Sequence, residues 1–185
     1  MQTITIYTAD CRGNARNKSY PHRMEIHSAA DLAHAVQFDH VCATYGDAKE
    51  LNRGNEYTIR NKRSVETFIK ADCLPMDLDN DHSENPDEWK TLDDVKAAFP
   101  GVMFYAVTSR HHMKAKEKSD GIHAPRPKYH LYFPIDEETD PVKYAAMKAE
   151  MFRRFPAFDD KALDAARFLF GVDGATVITV DGDNA

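Results

Sequence analysis

Two short apolar runs, VMFYAVTS at 102–109 and YHLYFPI at 129–135, constrain the chain most. Both are rich in aromatic and β-branched residues and are flanked by polar or turn-forming segments, which is how buried strands read. CLPMDLD at 73–79 reads as a further strand after Pro75, and QTITIYT (2–8) and ATVITVDG (175–182) as two more. Helix signals fall between them. Ser28 precedes AADLAHAVQF, with Leu32 and Val36 spaced for one face. Thr91 opens TLDDVKAAF with acids in the first turn, and Pro100-Gly101 ends it. Asp140-Pro141 opens a helix through YAAMKAEMFRRF; Pro156 breaks it, and ALDAARFLF predicts a shorter one. Residues 10–23, 46–63, 80–89 and 110–128 read as loops, and 64–70 is ambiguous. Strands and helices interleave with irregular crossovers. That pattern predicts an α+β fold with a mixed or antiparallel sheet rather than a doubly wound parallel one. The absence of a Gly-rich strand-to-helix turn removes Rossmann and Walker-type nucleotide sites.

The chain has 185 residues, 42% of them hydrophobic, enough for a buried core and too apolar for general disorder. No stretch reaches the apolar length of a membrane span, and MQTITIYTAD lacks the pattern of a secretion signal. Cys11, Cys42 and Cys73 are scattered without a CxxC pair, which argues against a cysteine-rich zinc site or a disulfide framework and for a reduced, cytoplasmic setting. The net charge of -6 hides a segregation. Residues 71–94 hold nine Asp/Glu against one Lys, whereas 109–130 hold six Lys/Arg against two acids, with four of the nine histidines. Acid beside base suits a site where a metal and a polyanion meet. Two solvated loops of opposite bias produce the same pattern.

Three segments carry chemistry. In Met76-Asp77-Leu78-Asp79-Asn80-Asp81, strand alternation puts Asp77 and Asp79 on one face, roughly 6–7 Å apart, able to hold a divalent ion at a strand's C-terminal end. Asp-x-Asp is also a common solvated turn, and Asp81 suits a turn or supporting role. In Pro127-Lys128-Tyr129-His130-Leu131-Tyr132-Phe133-Pro134, His130 and Tyr132 share a face inside an apolar strand. A satisfied core histidine is one reading. Lys114, Lys116, Lys118, Arg126 and Lys128 crowd the approach, so a histidine donating to a triphosphate is the other. In Phe158-Asp159-Asp160-Lys161, Asp159 precedes the helix expected to carry Arg167; it reads as a helix cap or as a third metal carboxylate, with Arg167 on phosphate or template.

Taken in order, CLPMDLDNDHSENPDEW, TSRHHMKAKEKSDGIHAPRPKYHLYFPI and DAARFLFG resemble segments of the archaeo-eukaryotic primase superfamily, in its phage and plasmid branch of primase-polymerase domains. The likeness spans residues 73–171 and owes little to the first seventy. It implies an RNA-recognition-like catalytic sheet over 71–185 beside an N-terminal α/β part over 1–70. It implies template-directed synthesis of short primers from nucleoside triphosphates on single-stranded DNA. The residues that match are Asp77 and Asp79 as metal carboxylates, His130 as the phosphate-contacting histidine, and Phe158, Asp159 and Arg167 in a third motif whose aspartate comes eight positions before its arginine. Asp160 is an alternative to Asp159, and Asp164 a structural partner. Lys128 stands where many relatives have a small residue, and the scattered cysteines cannot build the zinc stem some relatives carry. No helicase segment follows, so an excised catalytic domain or a primase acting alone, with a replicative helicase as partner, is expected in a phage- or plasmid-encoded system.

The chemistry so implied is two-metal phosphoryl transfer. Asp77, Asp79 and Asp159 would hold Mg²⁺ or Mn²⁺; Arg110, Lys128, His130 and Arg167 would neutralise the triphosphate. Arg53, Arg60, Lys62 and Arg63 are candidates for the template, although each also reads as a solvated loop residue. Tyr129 and Tyr132 suit core packing more than base stacking. Alternatives from other classes are a metal-dependent nuclease or a replication initiator that nicks DNA, a non-catalytic nucleic-acid-binding module, and a metal-dependent glycosyltransferase. His111-His112 fits a nicking enzyme poorly, the acidic strand end argues against the binding module, and a glycosyltransferase leaves the basic loop unexplained.

Overall fold

A computed structural model of the chain describes residues 3–119 and 121–182. Gln2 of the expected first strand, and the side chains of Lys116 and Lys118, lie outside the described set. The elements in chain order are β1 (Ile4–Thr8), β2 (His22–Ile26), α1 (Ala29–Ala35), β3 (His40–Val41), β4 (Ala43–Tyr45), β5 (Ala48–Asn52), β6 (Asn55–Ile59), β7 (Phe68–Leu78), α2 (Leu92–Ala98), β8 (Phe104–Thr108), β9 (Lys116–Lys118), β10 (Gly121–His123), β11 (Tyr129–Glu138), α3 (Pro141–Arg154) and β12 (Val177–Val180). The architecture is α+β with antiparallel sheets.

The main sheet runs β12-β8-β11-β7-β4, each neighbour antiparallel to the next. From β7 onward, leaving aside the separate β9–β10 hairpin, the order is β-α-β-β-α-β, with β11 inserted between β7 and β8, a split β-α-β arrangement. β12 flanks β8, and β4, from before residue 70, takes the place beside β7. A smaller sheet, β2-β1-β3, forms from the N-terminal residues.

Strand alternation fills both faces of the main sheet. Leu74, Met76 and Leu78 of β7, with Leu131 and Phe133 of β11, pack on Val95 of α2, Tyr144 of α3, Phe155 and Phe158. Cys73, Tyr105, Val107 and Tyr132 face the other way, onto Ile4 and Ile6 of β1 and Leu32 of α1. A sheet covered on both faces explains why its central strands read as continuous apolar runs. Each fully buried Phe or Leu here contributes about 2–3 kcal/mol. The caps read from sequence are made. Ser28 Oγ accepts from the Asp31 amide, and Thr91 and Asp94 form a reciprocal capping box. Asp140 Oδ1 accepts from the Val142 amide, with Pro141 in the first turn. Such caps contribute about 1 kcal/mol each.

Four expectations about local structure are corrected. The segment 46–63 is not all loop: β5 and β6 pair as a hairpin whose two-residue turn, Arg53-Gly54, has φ of 50° and 84°. Its side chains are mostly exposed on both faces, so no apolar alternation marks it. His22–Ile26 pairs with β1, so the loop expected over 10–23 ends early. The helix expected through ALDAARFLF is instead one 3-10 turn, Asp160–Ala162, then a turn over 164–166 and a β-bridge at Leu169. Leu169 exchanges backbone hydrogen bonds of 2.8 and 3.0 Å with His40. Leu169 is buried while Phe168 and Phe170 are half-exposed, the period of two that belongs to a strand. The polar stretch 110–128 also contains a short hairpin, β9 with β10.

Candidate active site

Asp77 is buried one residue before the end of β7 and stands directly opposite His130 on β11. A cross-strand pair shares one face, so the carboxylate and the imidazole meet, with His130 Nε2 3.8 Å from Asp77 Oδ1. Asp159 arrives by backbone pairing: its amide donates to the Asp77 carbonyl at 2.9 Å, and Phe158 bridges to Leu78. Asp159 Oδ1 accepts from the Lys161 amide at 3.0 Å, which makes the cap expected there, while Oδ2 lies 3.8 Å from Arg167. The cap and the contact with Arg167 therefore use different oxygens of one carboxylate. Arg167 also pairs directly with Asp77 Oδ2.

Asp79 lies just beyond β7 and, with Asp159, lines a cleft of about 320 Å³ bounded by 79–82 and 156–161. Asp160 lines the same cleft but is exposed; Asp159 is the one that faces Arg167. Lys128, almost fully buried, reaches Asp81 at 2.6 Å and Asp79 at 3.7 Å. Asp81 is thus a supporting carboxylate at the cleft's edge.

The electrostatics follow from burial. Burial pushes the His130 pKa down, against the pull of Asp77 and Asp79, so the imidazole is neutral at neutral pH. Burial pushes the Asp79 carboxyl up; Lys128 opposes the shift, and Asp77 and Asp81 reinforce it. The guanidinium of Arg167 loses solvation, but Asp77 and Asp159 more than offset that and raise its pKa. Asp77 Oδ1 and His130 Nδ1 are buried without a hydrogen-bond partner.

Among the described residues, no three His, Cys, Asp or Glu side chains are already converged as a metal-ligand cluster. Arg167 is the cation that bridges Asp77 and Asp159. The donor chemistry still suits a hard divalent ion. It is all carboxylate oxygen, one of those oxygens is orphaned, and the four carboxylates Asp77, Asp79, Asp81 and Asp159 face three cations, Arg126, Arg167 and Lys128.

The other expected residues divide. Arg110 stacks on the Phe170 ring, 3.8 Å from its centroid, and its charge contributes to the lowered His130 pKa. Arg63 lies 4.6 Å from the Phe168 ring centroid and donates to Ala166 O. Arg60 is engaged by Asp47 at 2.6 Å and Lys62 by Glu50 at 2.9 Å, while Arg53 sits in the β5–β6 turn. Tyr132 is a core residue, hydrogen-bonded to His40 at 2.7 Å, and Tyr129 packs against His112.

The sequence marks Arg126 only as part of the basic approach to His130, and it does not single out Asn80 or Lys148. Arg126 is 1% exposed, donates to Asn80 O and Glu84, and ties the basic loop to the acidic one. Asn80, at φ 53°, donates to Lys90 O and Pro127 O and accepts from the Lys90 amide. Asn tolerates that left-handed geometry, the one signal available in the sequence. Lys148 is buried on α3, donates to Asp164 O, and has its pKa lowered to about 8 by burial. Among the described residues no helix is long and apolar enough to cross a membrane. Comparison of the chain with protein-family models, with curated proteins and with solved structures finds no match.

Proposed function

We propose that the chain is a template-directed nucleotidyltransferase of the primase type, joining nucleoside triphosphates on single-stranded DNA. What supports this reading is that Asp77 stands directly across from His130, while Asp159, whose amide bonds the Asp77 carbonyl, lines one cleft with Asp79. Asp77, Asp79 and Asp159 would hold Mg²⁺ or Mn²⁺, which when bound supplies Lewis-acid activation of a 3′-hydroxyl and neutralises the leaving pyrophosphate. Lys128 lies at the cleft's edge, where its ammonium can turn from Asp79 and Asp81 to a phosphate. His130, held neutral, offers one N–H to a phosphate oxygen without adding a second buried cation beside Arg167. Arg167 offsets the charge of Asp77 and Asp159 and orients both. A replicative helicase, as a partner domain or protein, fits the same reading.

Incubation with single-stranded template, labelled nucleotides and Mn²⁺ tests it. Short extension products are expected. Cleavage of the template without synthesis would replace the reading with a metal-dependent nuclease, and template binding with neither would leave a binding module.

A further inference from the structure

Beside Arg167 the chain presents a connected group of two cations and two aromatic rings. Arg63 lies over Phe168, Phe168 meets Phe170 edge-on at 4.8 Å between centroids, and Arg110 covers Phe170 at 3.8 Å. The loop opposite, Arg12-Gly13-Asn14-Ala15-Arg16-Asn17-Lys18, carries three cations and no acid. No ion pair to a described carboxylate engages Arg16, Arg63 or Arg110.

This surface is fastened from beneath. Asp39 is fully buried, and Oδ1 accepts from the amides of both Gly13 and Gly171 at 2.8 Å while Oδ2 accepts from Asn14 at 2.7 Å. One carboxylate therefore pins the cationic loop to the segment that carries the rings. At the other end Arg63 ties the same two segments, donating to Ala166 O at 3.1 Å and Asn17 O at 3.3 Å. Gly171 is packed so closely that an added Cβ would lie 2.5 Å from Gln37 O. A buried carboxylate spent on fixing two surface segments is costly unless their geometry matters.

We propose that this Arg63–Phe168–Phe170–Arg110 surface, with Arg16 at its edge, is a binding site for single-stranded nucleic acid. Guanidinium planes and phenyl rings provide sequence-tolerant stacking for unpaired bases, while guanidinium edges and Arg16 meet the phosphates. Paired bases hide their faces, so a duplex uses only the charge. The first ring, Phe168, directly follows Arg167 in the chain, and Arg167 pairs with Asp77 of the acidic site. Naming the bound strand as the template rests on the synthesis reading above; the binding site itself does not.

The test is anisotropy with labelled oligothymidylate, an abasic strand of equal length and a duplex, without nucleotide or metal. Oligothymidylate is expected to bind about tenfold more tightly than the abasic strand. Phe168→Leu/Phe170→Leu, which keeps apolar volume, removes most of that difference. Arg16→Glu, at an exposed position, weakens all three ligands and reduces the salt dependence by about one phosphate contact. A thermal melt confirms that each variant is folded; should the double variant not fold, Phe170→Leu alone makes the same comparison. Equal binding of oligothymidylate and abasic strand, preference for duplex, or an undiminished difference in the leucine variants would overturn the proposal. Strand binding without synthesis would overturn the function reading alone, and synthesis with no loss of stacking in the leucine variants would overturn this site alone.

Discussion

Asp77 and His130 face each other across β7 and β11, 3.8 Å apart, on the face of the sheet that the N-terminal residues cover. Burial lowers the imidazole's pKa and Asp77 is the leading opposing influence, so the carboxylate limits how far it falls. Asp77→Asn is expected to lower the His130 pKa further, read from its ring-proton titration by NMR. A rise, or no change, would show that the two do not interact as the geometry requires. The same substitution leaves Arg167 with Asp159 alone and should cost about 2 kcal/mol in chemical denaturation.

His40 is fully buried, with Nδ1 to Phe38 O at 2.8 Å and Nε2 to Tyr132, and burial lowers its pKa to about 4. Between pH 6.5 and about 4 the unfolded chain binds this proton and the folded one does not. Stability is therefore lost as pH falls through that window, by about 3 kcal/mol at its lower end. His130, shifted the same way, adds to the slope. Denaturation midpoints at stepped pH measure it, and His40→Gln should flatten the curve.

Lys148 behaves in the alkaline direction. Its folded pKa of about 8 lies below the ordinary 10.5, so stability rises with pH between those values, where the unfolded chain holds the extra proton. Lys148→Met is expected to stabilise the protein by about 1–3 kcal/mol at pH 7, with the advantage shrinking above pH 8. An advantage independent of pH would show that the ammonium's lost hydration is not the cause.

Asp39→Ala orphans the amides of Gly13, Asn14 and Gly171 and should cost about 3 kcal/mol or more. Gly171→Ala should be comparably damaging, through collision with the backbone of Gln37 and Phe38. Asp39→Asn, which keeps an acceptor oxygen, is expected to fall between Asp39→Ala and the unsubstituted protein.

Legibility in the sequence tracked periodicity. The central strands and the capped helices could be read because apolar spacing and cap residues agree there, and Asp77 and His130 stood out as polar exceptions in apolar strands. That they pair was not legible, since register depends on which strands become neighbours. AARFLF has helical composition, yet Leu169 bonding to His40 holds its second half out of a helix, and Arg167 follows a turn rather than lying on a helix face. The β5–β6 hairpin has no buried face to set an alternation. Asp39 and Lys148 owe their roles to segments that meet only in the folded chain.

Primer synthesis by point variants tests the central claim most directly. Asp79→Asn and Asp159→Asn, each shown to fold by thermal melting, are compared with the unsubstituted protein on single-stranded template with nucleotides and Mn²⁺. Product is expected to fall by about a hundredfold or more in both. Product at undiminished rate from either folded variant would contradict it.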